Sequence, residues 1–185
     1  EIITKQSFAD KRVIYQAHEW MSGLGMLFLQ HNCPEVRTIF TTHATSIGRS
    51  IAGNNKLLYA YFEGYNGDQM ASELSMEAKH SIEKQSAHRT HCFTTVSDFT
   101  DRECAQLLDK PADVVLPNGF ELDFVPKGAA FTSKRRQARQ RIFQVAQALT
   151  GQTFDNDTLI ISTSGRNDFR CKGFDVYMEA MKQLN

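Results

Sequence analysis

The sequence predicts an α/β fold in which a parallel β-sheet is flanked by helices. Short apolar or β-branched segments alternate along the chain with longer segments of helical periodicity, which is typical of parallel βαβ units. No internal repeat or low-complexity tract interrupts this alternation. Strands are predicted over residues 12–17, 37–41, 92–96, 113–116 and 158–162.

The segments between these strands carry helical signals. Helices are predicted over residues 20–30, over 68–89 as one helix or two short ones, over 133–149, and from Val176 onward. In the 68–89 segment one side is apolar and comprises Met70, Leu74, Ala78 and Ile82. Thr100 and Glu103 have the spacing of a capping box before a short helix. Residues 57–62 fit either type of element.

Composition narrows the class of protein. The chain has 185 residues, with 21 Lys and Arg against 21 Asp and Glu. This zero net charge argues against a nucleic-acid binder or a protein of anionic membrane surfaces. No apolar segment approaches membrane-spanning length. The four cysteines are scattered without paired spacing, which indicates free thiols in the reducing cytoplasm.

The two ends of the chain indicate a piece of a longer protein. The chain starts EIITKQ without Met and stops at MKQLN, where a predicted helix finishes. A complete small domain whose initiator was removed is the alternative.

Polar residues follow each predicted strand. His18 and Glu19 follow the first strand, His43 and then Arg49 follow the second, and Asn118-Gly119 follows the fourth. In open α/β sheets, ligands bind beyond the carboxyl ends of the strands, which share one edge. Taken singly, each histidine is better explained as a capping or core residue. Taken together, they predict a ligand site at this edge.

The last predicted strand leads into a cationic turn. Gly165-Arg166 follows it, and Lys172 stands just before the last predicted helix. Two cations and a helix N-terminus favour a phosphate or pyrophosphate, whereas solvated surface charges are the alternative. The chain has neither GxGxxG nor GxxxxGK[ST], and no spacing predicts a metal site.

Several longer motifs carry a resemblance to a known family. The stretches HEWMSGLG, FTTHATSIGRSIAG, EKQSAHRTHCFTTVSDFT, VVLPNGF and TSGRNDFRCKGFDVYMEAMKQLN occur in the order found in glycogen synthases of the animal and fungal type. The chain therefore resembles that family over nearly all of its length.

The resemblance implies a fold and an activity. These enzymes have the GT-B architecture, in which two Rossmann-like domains face each other. They transfer glucose from UDP-glucose to the non-reducing end of an α-1,4-glucan with retention and without a cofactor. Residues 1–125 would be the later part of the N-terminal domain, 126–157 a linker and helix, and 158–185 the start of the C-terminal domain. Cytoplasmic location is expected, and a homo-oligomer is left open.

The resemblance also implies residue roles. Arg166 and Lys172 correspond to the residues that bind the donor phosphates, and they are the predicted catalytic pair. The predicted substrate-binding residues are His18, Glu19, His43, Arg49, Asn118 and Gly119.

Two departures from the family pattern limit these implications. Ala129, Ala130 and Thr132 stand where members controlled by glucose 6-phosphate carry His, Glu and Gln, so that control is not expected here. The family's Gly-rich donor loop and its later C-terminal motif are missing, so the isolated chain is expected to be inactive. A different GT-B transferase and a non-catalytic nucleotide- or glucan-binding module are the rival interpretations.

Overall fold

The computed structural model describes residues 11–170 and 172–184, in two compact units that divide between Asn118 and Gly119. The elements of the first unit are β1 (Ile14–His18), α1 (Glu19–Asn32), β2 (Arg37–Thr42), α2 (Ser46–Gly53), a 3-10 turn (Phe62–Gly64), α3 (Gly67–Glu73), α4 (Glu77–Arg89), β3 (Cys92–Thr95), α5 (Asp98–Leu107) and β4 (Val114–Val115).

The four strands form one parallel sheet in the order β1-β2-β3-β4. The predicted α/β fold with a parallel sheet and flanking helices is therefore confirmed. The first four predicted strands form with small shifts at their ends. Because β1 extends to His18, helix α1 begins at Glu19 without an intervening loop.

The core is built around a row of residues that crosses the sheet. Ala17 on β1 pairs with Phe40 on β2, which pairs with Phe93 on β3, and all three are fully buried. The Phe40 and Phe93 rings stack with centroids 5.9 Å apart. Helices α1, α4 and α5 cover this row with Met26, Ala87 and Cys104.

The predicted apolar side of residues 68–89 is wrong at Ala78, whereas Ile82 is half-buried. The segment forms two helices, because the chain turns between α3 and α4 with Ser75 at φ 56°. This turn changes the phase of the helical pattern, so Ala78 is exposed. The buried residues of α4 are His80, Glu83, Ser86 and Ala87.

The predicted capping box is also wrong. Ser97, not Thr100, caps α5, and its side-chain oxygen accepts a hydrogen bond from the Thr100 backbone nitrogen. Glu103 is buried instead of reaching back to the helix start. The predicted helix itself is present, beginning at Asp98.

The second unit is mainly helical in its described part. It contains a 3-10 turn (Leu122–Phe124), α6 (Gly128–Thr150) and α7 (Phe174–Gln183). The predicted strand at residues 158–162 does not form, and Leu159 is 77% exposed. A strand needs a neighbour for its backbone hydrogen bonds, and no other strand is described in this unit. The prediction that residues 158–185 begin a second Rossmann-like domain stays a prediction.

Across residues 11–170 and 172–184, no helix has both the length and the apolar character needed to cross a bilayer.

We predict that Phe40→Ala will lower the free energy of unfolding by about 3 to 5 kcal/mol, because it removes a fully buried ring from the central row. Phe28→Ala is the matched control, since the Phe28 side chain is 66% exposed, and it should change stability by less than about 1 kcal/mol. Urea denaturation of both variants measures the difference. Equal effects of the two substitutions would contradict the proposed core.

Candidate active site at the carboxyl edge of the sheet

The ends of β1 and β2 bring two predicted histidines together. His18 pairs with Thr41 in the parallel register, so the residues that follow the two strands leave the sheet at neighbouring positions. The His18 Nδ1 and His43 Nε2 atoms lie 3.0 Å apart, which is hydrogen-bond distance. One imidazole must donate and the other accept, so the pair favours a complementary arrangement of ring protons.

Glu19 joins this pair to the predicted arginine. Its Oε1 accepts a hydrogen bond from the His43 backbone nitrogen at 3.2 Å, and the Arg49 guanidinium lies 3.3 Å from the same oxygen. The Glu19 side chain is 15% exposed, whereas that of Arg49 is 57% exposed. The carboxylate therefore anchors one end of the guanidinium while the remaining N–H donors stay accessible to a ligand.

The structure thus brings His18, Glu19, His43 and Arg49 into one connected group. That these side chains bind substrate stays a prediction, since no ligand is present. Asn118 is exposed and follows β4 at the same edge. In the described part of the first unit, no hydrogen bond links Asn118 to this group. Gly119, also exposed, begins the second unit.

The turn between β2 and α2 is supported by a polar network in which Thr45 and Glu103 are buried and Tyr59 is partly exposed. Thr45 caps α2 by accepting a hydrogen bond from the Gly48 backbone nitrogen at 3.1 Å. Its hydroxyl also donates to Glu103 Oε2 at 2.9 Å, and the Tyr59 hydroxyl donates to Glu103 Oε1 at 2.6 Å. Burial, followed by the hydrogen bond to Glu103, raises the pKa of Tyr59 to about 12. The Tyr59 hydroxyl therefore stays a hydrogen-bond donor to Glu103 well above neutral pH.

Sequence reasoning missed both interior carboxylates of this network, Glu83 and Glu103. Glu83 accepts hydrogen bonds from the Ser46 backbone nitrogen at 2.7 Å and from the Ser46 hydroxyl at 2.6 Å. A signal was present, since His80, Glu83 and Ala87 have the i, i+3, i+7 spacing of one helix face. Glutamates on a helix are normally solvent-exposed, so the sequence alone did not indicate that this face is buried.

The predicted catalytic pair lies on one turn of the second unit. Arg166 and Lys172 are both exposed, and the Lys172 backbone nitrogen donates to the Asp168 carbonyl at 3.0 Å. Gly173 at φ 67° then leads into α7. The stem of Lys172 crosses Gly165, where an added Cβ would lie 3.1 Å from Lys172 Cγ. The expected turn and helix start are present, and the phosphate-binding role stays a prediction.

The residues of the edge group do not line the main cavity described for the first unit. A cavity of about 600 Å³ in the first unit is lined by Tyr59, Tyr61, Phe99 and Arg102 among others, and by none of the predicted site residues. Among the residues that the structure describes, no three His, Cys, Asp or Glu side chains are grouped as a metal centre requires.

Comparison with known proteins now fixes the family. Residues 1–185 match the sequence model of the family described as glycogen synthase. The chain belongs to the glycogen synthase family. This confirms the resemblance carried by the HEW, THAT, PNG and SGR…KG motifs.

Individual glycogen synthases are similar to nearly all of this chain. Identity is 33% to the liver glycogen [starch] synthase of Homo sapiens over 95% of the chain. It is 34% to the Dictyostelium discoideum glycogen [starch] synthase over 94% of the chain, and 32% to that of Neurospora crassa over 95%. The chain spans 25% of the human and Neurospora proteins and 20% of the Dictyostelium protein.

We predict that Gly48→Ala will destabilise this glycogen synthase segment by about 1 to 3 kcal/mol, through crowding in the packed interior. The added Cβ would contact the Thr45 hydroxyl and lie 2.9 Å from Glu103 Oε2. Gly53→Ala, on the same helix, is the control, because its Cβ meets nothing within 4 Å. The control should be neutral or stabilising by up to about 1 kcal/mol, as Ala favours helix. Thermal unfolding of both variants tests this, and a silent Gly48→Ala would argue against the cap.

Proposed function

We propose that a protein containing this chain transfers glucose from UDP-glucose to the non-reducing end of an α-1,4-glucan, with retention of configuration. The observation that supports this most directly is the bridge made by Glu19, which links the His43 backbone to the exposed Arg49 guanidinium. Arg49 presents hydrogen-bond donors that suit a phosphate or a sugar hydroxyl. The family membership and the arrangement of the four edge residues together favour a nucleotide-sugar site.

The turn that carries Arg166 and Lys172 would supply the charge needed for bond cleavage. Breaking the bond between the sugar and the phosphate leaves negative charge on UDP. An Arg can hold two phosphate oxygens as a fork, while a Lys acts as a point charge. Fixed donors of this kind act most strongly on charge that develops in the transition state. These two cations would therefore accelerate departure of UDP.

We assign substrate binding to His18, Glu19, His43 and Arg49 at the carboxyl edge of the sheet, and to Asn118 and Gly119 in the segment that follows β4. His43 would hydrogen-bond the transferring sugar or a nearby phosphate, with its ring oriented by His18.

We place this protein in the cytoplasm, in agreement with the free thiols of Cys33, Cys92 and Cys104.

In a longer protein that carries this segment, we expect Arg166→Ala to lower kcat by about 100-fold or more, the loss typical of removing one transition-state donor. The KM for glucan should stay within a few-fold, because the guanidinium acts on the leaving group and not on the acceptor. Lys172→Ala should act in the same direction, and Lys172→Arg should rescue only in part. Steady-state kinetics with labelled UDP-glucose provide the measurement.

The controls are exposed cations of the same unit away from the turn. Lys182→Ala in the last turn of α7 and Arg141→Ala on α6 should retain normal turnover. Normal turnover in both Arg166→Ala and Lys172→Ala would refute their assignment and leave them as surface charges. UDP binding without glucose transfer would favour the non-catalytic module.

A further inference from the structure

The turn between β2 and α2 is held at its two ends by carboxylates from two different helices. At one end the His43 backbone nitrogen donates to Glu19 Oε1, and Glu19 begins α1. At the other end the Ser46 backbone nitrogen donates to Glu83 Oε2 at 2.7 Å, and Glu83 lies on α4. The turn that begins with His43 is therefore fixed at both ends by backbone hydrogen bonds.

Glu83 makes its contacts from a fully buried position. Its side chain is 0% exposed, and no ion pair within the described residues includes it. Its donors are the Ser46 nitrogen, the Ser46 hydroxyl and the Thr42 hydroxyl, the last at 3.3 Å. The Ser46 nitrogen belongs to the first turn of α2, where unpaired N–H groups favour a negative charge.

A buried carboxylate without a cationic partner is an expensive way to stabilise a fold. Burial raises the pKa of Glu83, the Ser46 hydrogen bonds oppose this rise, and the nearby charge of Glu19 reinforces it. Well-packed apolar residues in such places often give equal or greater stability. A carboxylate here has one distinct consequence: its two oxygens tie the last residue of β2 to the first residue of α2.

We infer that Glu83 is a positioning residue of the candidate active site, acting through the turn on His43 and Arg49. It holds the Thr42 hydroxyl on one side of the turn and the Ser46 backbone on the other, so that the His43 ring meets His18 and the Arg49 guanidinium reaches Glu19. This inference rests on the proposed function for its ligand, a nucleotide diphosphate sugar. Glu83 touches no ligand in this role.

The test compares Glu83→Gln with Glu77→Gln in this chain. Glu77 lies in the first turn of the same helix and is exposed, so it controls for loss of one negative charge on α4. In Glu83→Gln one carboxylate oxygen becomes an NH2 group, which cannot accept the hydrogen bonds made to that oxygen. If the NH2 group faces Ser46, the contact with the Ser46 backbone nitrogen is lost, because both groups are donors. If it faces Thr42, the neutral amide oxygen makes weaker hydrogen bonds to Ser46 than the carboxylate does, and the Thr42 hydroxyl must accept instead of donate.

Two readouts are measured. Nitrogen-15 NMR of the imidazoles reports the tautomers of His18 and His43, and hydrogen exchange reports the Ser46 amide. Glu83→Gln should speed exchange of the Ser46 amide at least tenfold and change the His43 ring signals, while Glu77→Gln leaves both unchanged. In parallel, titration with UDP should show a Kd raised at least tenfold in Glu83→Gln and within twofold of wild type in Glu77→Gln.

The outcomes separate the two proposals. If the wild-type chain fails to bind UDP, that counts against the proposed function, and the imidazole signals still decide the role of Glu83. If Glu83→Gln loses stability but keeps wild-type His43 signals and UDP affinity, Glu83 is merely structural and the inference is overturned.

Should Glu83→Gln not fold, Ser46→Ala replaces it, because it removes one donor to Glu83 and keeps the backbone contact. About threefold weaker UDP binding with altered His43 signals would then support the inference, and unchanged values would overturn it.

Discussion

The parallel register between β1 and β2 is the constraint on which the candidate site depends. It sets His18 beside Thr41, so that the chain leaves both strands at the same edge and Glu19 meets the backbone of His43, although the two residues are 24 positions apart. A slip of one residue would reverse the faces of a strand. It would remove Ala17 from the buried row with Phe40 and separate the residues that the edge brings together. The apolar core and the polar edge are therefore two results of one alignment.

A second level of order comes from polar groups inside the protein. The end of β2 and the start of α2 are held by hydroxyl and backbone donors that converge on Glu83 and Glu103. Apolar contacts do not depend strongly on the orientation of the side chains, whereas hydrogen bonds restrict both the distance and the angle between donor and acceptor. Such a network suits a turn whose residues must present side chains in one orientation.

Much of the fold and of the edge group was predictable from the sequence, because strand periodicity and the polar residues after each strand are local signals. His18, Glu19, His43 and Arg49 were found in this way. Glu83 and Glu103 were not, since a helical carboxylate faces solvent unless a tertiary partner captures it. The predicted apolar side of residues 68–89 failed at Ala78, because the turn at Ser75 changes the phase of the helical pattern. The strand at residues 158–162 failed because pairing depends on a neighbour that local sequence does not specify.

Glu19 shows how a site can oppose the preferences of its own backbone. Its φ of 63° lies in the left-handed region, which costs a residue with a Cβ about 1 to 2 kcal/mol relative to a right-handed conformation. Glycine or asparagine adopts that conformation more readily. Selection for heat resistance alone would therefore favour replacing Glu19, and the replacement would release both His43 and Arg49. Under the proposed function, thermostability and ligand recognition compete at this single position, and a protein engineer would need to exclude it from a stability screen.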